Sequence, residues 1–176
     1  MANQDWQERF IAHLEKLRDQ EDKGALATLR RGLGRELGTT PAMYPLVVPW
    51  VPNYPFMENA AFLIAALFSL HPQPGGQGTL GSAFTQIASS SASVEQRFVA
   101  LLNCHRDDLS DHLRYAISLL RSKDIPVDWK RLLRDVLAWD HDSRYVQRNW
   151  AREFWRSAVG PPDSEIDEEE TEMTAL

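Results

Sequence analysis

Four arginines, Arg144, Arg148, Arg152 and Arg156, recur every four residues near the C-terminal end of this sequence. The guanidinium is planar, permanently charged and shaped to hold a phosphate through two parallel hydrogen bonds. Arginine rather than lysine at all four positions therefore points to anion recognition. Four residues of helix rise ~6 Å, which spreads the row over ~18 Å along one edge. A stacked nucleic-acid strand advances ~3.4 Å per nucleotide, so the row is long enough to follow about five of them. The plainer alternative is a solvated helix face, with Asp140, Asp142 and Glu153 as partial ion-pair partners.

Other bases extend the pattern. Arg106, Arg114, Arg121 and Lys123 fall on or beside a helix that precedes Asp124, and Arg114 and Arg121, seven residues apart, share a face. Arg30 and Arg31 form a basic pair near the N-terminus. Together these side chains can line a groove for a nucleic-acid backbone, with an affinity that falls steeply as salt rises.

A second constellation, Cys104-His105, His112 and Asp140-His141-Asp142, carries ligand types used by metal-dependent phosphohydrolases. Its spacing is poor for that chemistry, because Cys104 and His105 are neighbours that point in different directions on a helix. Asp140 and Asp142 also have a ready use as caps of the last helix. No Gly-rich phosphate loop ending in Lys-Ser/Thr and no Gly-x-Ser-x-Gly elbow is present. Neither metal site, cofactor nor catalytic residue is expected. Trp129, Trp139, Trp150 and Trp155 are able to stack bases, but their helical spacing favours the core for Trp129 and Trp150.

The elements that must position these groups are helical throughout. Trp6, Phe10, Leu14 and Leu17 mark a first helix over 4–21, and Leu26, Leu29, Leu33 and Leu37 a second from about Ala25. Thr40-Pro41 reads as cap and first helical residue of a short element, and Pro55 opens the most apolar helix, ending near Leu70. Leu80, Phe84 and Ile87 predict a short helix. Ser93-Val-Glu-Gln96 reads as a capping box for the next, and Asp107 or Asp108 as the cap of the one after. Asp128 caps a helix bearing Trp129, Leu132, Leu133, Val136 and Leu137. In the last helix, about Ser143 to Ala158, Val146, Trp150 and Phe154 run two residues out of phase with the arginines, which turns the row roughly 200° away from the apolar stripe. No β-type alternation is sustained, so the fold class is all-α. Two small helical lobes are expected to pack as one elongated bundle, residues 1–72 and 79–160, divided by the Pro/Gly-rich stretch His71–Gly78.

With 43% hydrophobic residues, six Trp and seven Phe, the chain has the material for a packed core without metals or disulfides. One cysteine excludes a disulfide scaffold. The polar N-terminus has no signal-peptide pattern, and the longest apolar run, 60–70, is about half of the ~20 residues that span a bilayer. A cytoplasmic protein that does not enter membranes is expected. The net charge of −6 is unevenly placed. Residues 161–176 hold seven acidic groups and no basic one, and without them 19 basic residues face 18 acidic ones. That acidic, aromatic-free tail is expected to be disordered.

Several segments resemble the CasB family, the small subunit of the type I-E CRISPR Cascade surveillance complex. Ala27-Thr-Leu-Arg-Arg31 and Pro41-Ala-Met-Tyr-Pro-Leu-Val-Val-Pro49 are similar to the family's Leu-Arg-Arg helix and Pro-x-x-Tyr-x-x-Val-x-Pro segment. Thr79-Leu-Gly81 resembles the entry to its second lobe, and 94–102 and 106–121 its Arg-bearing helices. Val127-Asp-Trp129, Trp139 and Trp150-Ala-Arg-Glu-Phe154 resemble its C-terminal end. The resemblance covers about residues 10–156, and the acidic tail departs from it.

The resemblance implies a non-catalytic, two-lobe helical subunit of a ribonucleoprotein for antiviral defence. Such a subunit assembles as a pair, contacts other Cascade subunits, and helps hold CRISPR RNA-paired target DNA and the displaced strand of the R-loop. The binding residues that the resemblance implies are Arg30, Arg31, Arg97, Arg106, Arg114, Arg121, Arg144 and Arg148, and the residue pattern above adds Lys123 and Arg152 to the expected set. A helical protein-interaction module and a metal-dependent phosphohydrolase using His105, His112, Asp140 and His141 are the readings that compete with it.

Overall fold

The computed structural model describes the backbone of residues 2–88 and 92–159 and the side chains of residues 6–88 and 92–156. The acidic tail, 161–176, lies outside the described residues. Among those described, nine α-helices and no strands are formed: α1 (Ala2–Asp19), α2 (Lys23–Arg30), α3 (Tyr44–Val47), α4 (Pro55–Leu70), α5 (Leu80–Thr85), α6 (Ala92–Asn103), α7 (Arg106–Ser122), α8 (Trp129–Leu137) and α9 (Tyr145–Val159). Short 3-10 turns over Pro41–Met43 and Val48–Trp50 flank α3. No helix among the described residues is long and apolar enough to cross a membrane.

The most apolar helix is the centre. Proline starts α4, Tyr54 before it is extended as a residue preceding proline must be, and residues 60–69 are all buried. α4 packs against α2, α7 and α8, while α1 closes over α8. α4 and α7 lie side by side and run the same way. Phe56 meets Arg106 at their N-terminal ends. At their C-terminal ends the His71 ring donates to the Ile125 carbonyl at 2.7 Å. A second aromatic cluster joins α5, α6 and α9: Phe98 stacks on Phe154 with centroids 4.4 Å apart and meets Phe84 at 5.1 Å. Trp139 and Trp150 pack at 5.2 Å, and Phe68 meets Trp129 at 5.5 Å, so one apolar cluster runs from α1 to α9.

Several boundaries differ from the sequence expectation, each for a local reason. α2 ends at Arg30, short of Leu33 and Leu37. Gly34 and Gly38 take positive φ (70° and 75°), which breaks the helix, and the two leucines reach the core from an irregular segment instead. Thr40 precedes its 3-10 turn as expected but makes no capping hydrogen bond. α6 starts at Ala92, so Ser93 sits inside its first turn rather than at the cap. The residue at the head of α7 is His105. Asp107 and Asp108 lie in the first turn, where the helix dipole favours negative charge. Asp128 does cap α8, accepting from the Arg131 amide at 2.9 Å.

Segment 30–38 is the element that shapes the surface described next. It runs antiparallel to α4. Arg30 Nη2 donates to the Ser69 carbonyl at 2.7 Å, Gly32 abuts Met43 and Ala66, and Gly38 lies over Asn59 and Phe62. Its middle, at Gly34, touches the Arg114 guanidinium of α7. The segment and α7 therefore form two adjacent banks above α4.

Candidate nucleic-acid interface

The structure draws seven of the ten sequence-predicted residues into one route. On α7, Arg106, Arg114 and Arg121 fall within a sector of roughly 80°, on the flank next to segment 30–38, and span ~22 Å. Arg30 and Arg31 stand on the opposite bank. Arg106 and Arg144 both flank the α6–α7 junction, where Arg144 Nη2 donates to the Leu102 carbonyl at 2.6 Å. Lys123 is the C-terminal cap of α7, beside Arg121. Beyond Arg144 the row continues on α9: Arg148, Arg152 and Arg156 are exposed while Val146, Trp150 and Phe154 are buried, which is the two-faced pattern expected. Arg97 is exposed on α6, and none of the described contacts ties it to the others.

The ten are not equally free. Arg31, Arg97, Arg121, Lys123 and Arg148 make no side-chain hydrogen bond or ion pair with the described residues and are exposed. Among the described residues, Arg152 donates only to Asn149, at 2.9 Å. Arg114 pairs loosely with Asp111, 3.4 Å away and one turn before it. Arg30 satisfies a carbonyl at the C-terminal end of α4, a structural use of one of its five donors. Arg144 is not the first member of a helical ladder. It precedes α9 with φ 49°, closing the turn from His141, and its side chain reaches back to Leu102.

Arg106 is held on three sides. Its Nε pairs with Asp140, its Nη2 donates to the Val136 carbonyl at 2.8 Å, and its guanidinium lies 4.7 Å from the Phe56 ring centre. The polar partners of this arginine are 30 and 34 residues away, so residue spacing carries no trace of its fixed posture. Asp140 is thereby an ion-pair partner and not a cap of α9.

The remaining chemistry-bearing groups do not converge. Among the described residues, no three of His, Cys, Asp and Glu are placed to hold a metal ion. His105 and His141 are exposed, and the His141 ring bonds the Ser143 hydroxyl at 2.9 Å. Burial pushes the Cys104 thiol up to about 11, which keeps it protonated rather than a thiolate ligand. Trp139 is buried and donates to the Cys104 carbonyl at 3.2 Å, so it is core rather than a base-stacking surface, as are Trp129 and Trp150. Trp155 is half-buried and donates to Glu95.

Two arginines outside the ten join the surface. Arg35 lines a cleft with Arg106, and Arg156, the last of the α9 row, lines a shallow depression with Arg152, Ser82 and Thr85. Arg35 follows the pair Arg30-Arg31 by about one helical turn, but the glycines around it mask the pattern.

An all-helical scaffold with arginines along one flank is the class that fold and surface define. The sequence profile of the CRISPR-associated protein Cse2 family matches residues 25–155, and this chain belongs to that family. It is 37% identical over 158 residues to the CRISPR-associated protein Cse2 of Thermus thermophilus, covering 84% of this chain and 89% of the relative. Among solved structures, CasB from Thermus thermophilus superposes with a TM-score of 0.76 at 36% identity, over 85% of this chain and 97% of that one. A chain of a CRISPR RNA-guided surveillance complex gives 0.77 at 28% identity, over 89% and 95%.

Proposed function

We propose that this protein is a small, non-catalytic subunit of an RNA-guided CRISPR surveillance complex of the Cascade type. In this reading it sits in the complex as a pair of copies, braces neighbouring subunits, and binds the backbones of the target strand and the displaced strand. The division into lobes at 72 and 79 belongs to the same proposal. The observation that carries it is the basic route along α7, the α6–α7 junction and α9, on a fold that closely matches a chain of such a complex.

The mechanism is electrostatic. Opening a DNA duplex and pairing one strand with a guide RNA nearly balance in free energy, so a few phosphate contacts tip the exchange. Sequence is read by base pairing, which leaves the protein to hold backbone.

The test is to tag the chain in its native cell, purify it gently and identify what accompanies it. A large complex containing a discrete short RNA of repeat–spacer sequence is the expected result. A lone protein without RNA, from cells that express CRISPR RNA, would overturn the proposal.

A further inference from the structure

We propose that the cleft between the N-terminal ends of α4 and α7 is a nucleobase pocket, which takes one unstacked base from a strand whose phosphates follow the basic route. The proposal rests on the single-strand-binding reading above and adds a site of different chemistry to it. The cleft is about 330 Å³, at the small end of the roughly 300–1,000 Å³ typical of small-molecule sites. Its apolar lining includes Leu37 and Leu63, with Leu109 and Val136 buried at its floor. Its position is midway along the route, since Arg106 in its wall lies between Arg114 on α7 and Arg144 at the α6–α7 junction.

One wall is a stacking surface built in advance. Phe56 is a large apolar side chain left 48% exposed, and the Arg106 guanidinium lies over one face of its ring, 4.7 Å from the centre, which leaves the other face and the outer side of the guanidinium for a base. Asp140 and the Val136 carbonyl fix that guanidinium, so it cannot swing freely out to a phosphate. Unpaired bases in single strands stack on aromatic rings and on arginine planes of this kind.

The polar groups around the cleft decide between a base and a bare anion. Arg35, Asn59, Asp107 and Ser110 line it, and none has a side-chain partner among the described residues. They offer donors and acceptors together, which is what the mixed edge of a base requires. Glu36 and Asp107 offset the charge of Arg35 and Arg106 in the same cleft, which leaves no net positive charge there to favour a bare phosphate over a neutral base. The charge that holds the backbone lies outside, on Arg114 and Arg144.

The experiment compares two oligonucleotides of equal length, one of thymidine and one a wholly abasic sugar–phosphate strand, binding to the full chain at low salt by fluorescence anisotropy. The wild type is expected to prefer the base-bearing strand about fivefold or more, the lower end of what one base–aromatic stack gives. Phe56→Leu keeps apolar volume without a ring face and is expected to remove most of that preference while leaving abasic binding unchanged. Asn59→Ala, on an exposed position, is expected to reduce it in part. Equal wild-type affinity for the two strands would overturn the pocket, as would a preference that survives in F56L, or an equal loss on both strands. Binding to neither strand would defeat the single-strand reading itself, and the pocket with it.

Discussion

Among the individual side chains, the cleanest tests are the arginines that do nothing for the fold. Arg121 and Arg148 are exposed and unpaired, so Arg121→Glu and Arg148→Glu should each weaken single-strand binding while the helical circular dichroism and thermal midpoint hold. For every phosphate no longer neutralised, the slope of log-affinity against log-salt should flatten by about 0.7. Arg106→Glu is a poor substitute, because it also strands Asp140 and the Val136 carbonyl. Asp135 makes a different prediction. Its carboxylate is buried, accepts from Trp150 Nε1 at 2.7 Å and pairs with Arg131 at 3.1 Å, and burial outweighs these partners to raise its pKa. The folded state thus holds that proton more tightly than the unfolded one, and stability falls as pH rises from the ordinary carboxylate range through the raised value. Asp135→Asn keeps an acceptor for Trp150 and removes the ionisation. Urea midpoints at mildly acidic and neutral pH should therefore show the variant gaining on the wild type as pH rises. A constant difference between the two would contradict this. At this scale the sequence reveals which residues carry charge but not which are engaged, since the partners of Arg106, Arg144 and Asp135 come largely from other helices.

The helices themselves are largely legible, because their apolar residues recur at helical spacing: α4, α7, α8 and α9 lie close to where that periodicity puts them. The exceptions arise where another force matches the pattern. Leu33 and Leu37 keep helical spacing on a chain that glycines have already unwound. Asp107 and Asp108 look like caps because acidic residues suit both the cap and the first turn. Gly81 shows what a family-like motif means physically. A Cβ at this position in α5 would fall within the van der Waals shell of the Trp150 carbonyl on α9, so only glycine lets the two backbones meet. Gly81→Ala should cost about 1–3 kcal/mol or more by overpacking, measured by denaturant unfolding. Gly75→Ala is the control: φ there is 95° but nothing lies within 4 Å of the added methyl, so only backbone strain of about 1 kcal/mol is expected.

For the molecule as a whole, the net charge conceals the basic surface. Seven carboxylates in 161–176 turn a nearly balanced chain acidic, and no average over the sequence shows a basic flank. Long-range attraction between the chain and a polyanion follows the total as well as the patch. Deleting 161–176 should raise affinity for single-stranded DNA at low salt, and the gain should shrink as salt shortens the range of the field. Equal affinity of the two proteins at low salt would show that only the local surface matters. The route is only half legible at this scale. Its α9 arm follows from periodicity, whereas its α7 arm depends on how segment 30–38 lies along α4, which residue spacing does not encode.

The backbone contact between Gly81 and Trp150 reaches beyond stability. With no side chain between them, α5 and α9 meet backbone to backbone, and helix geometry sets the exposed arginines of α9 at a pitch of ~6 Å. A stacked strand at ~3.4 Å per nucleotide then meets a guanidinium at about every second phosphate. Displaced by two nucleotides, the strand finds nearly the same contacts again. On the proposed function, such a surface would work as a toothed rack, which resists lifting of the strand far more than its travel lengthwise.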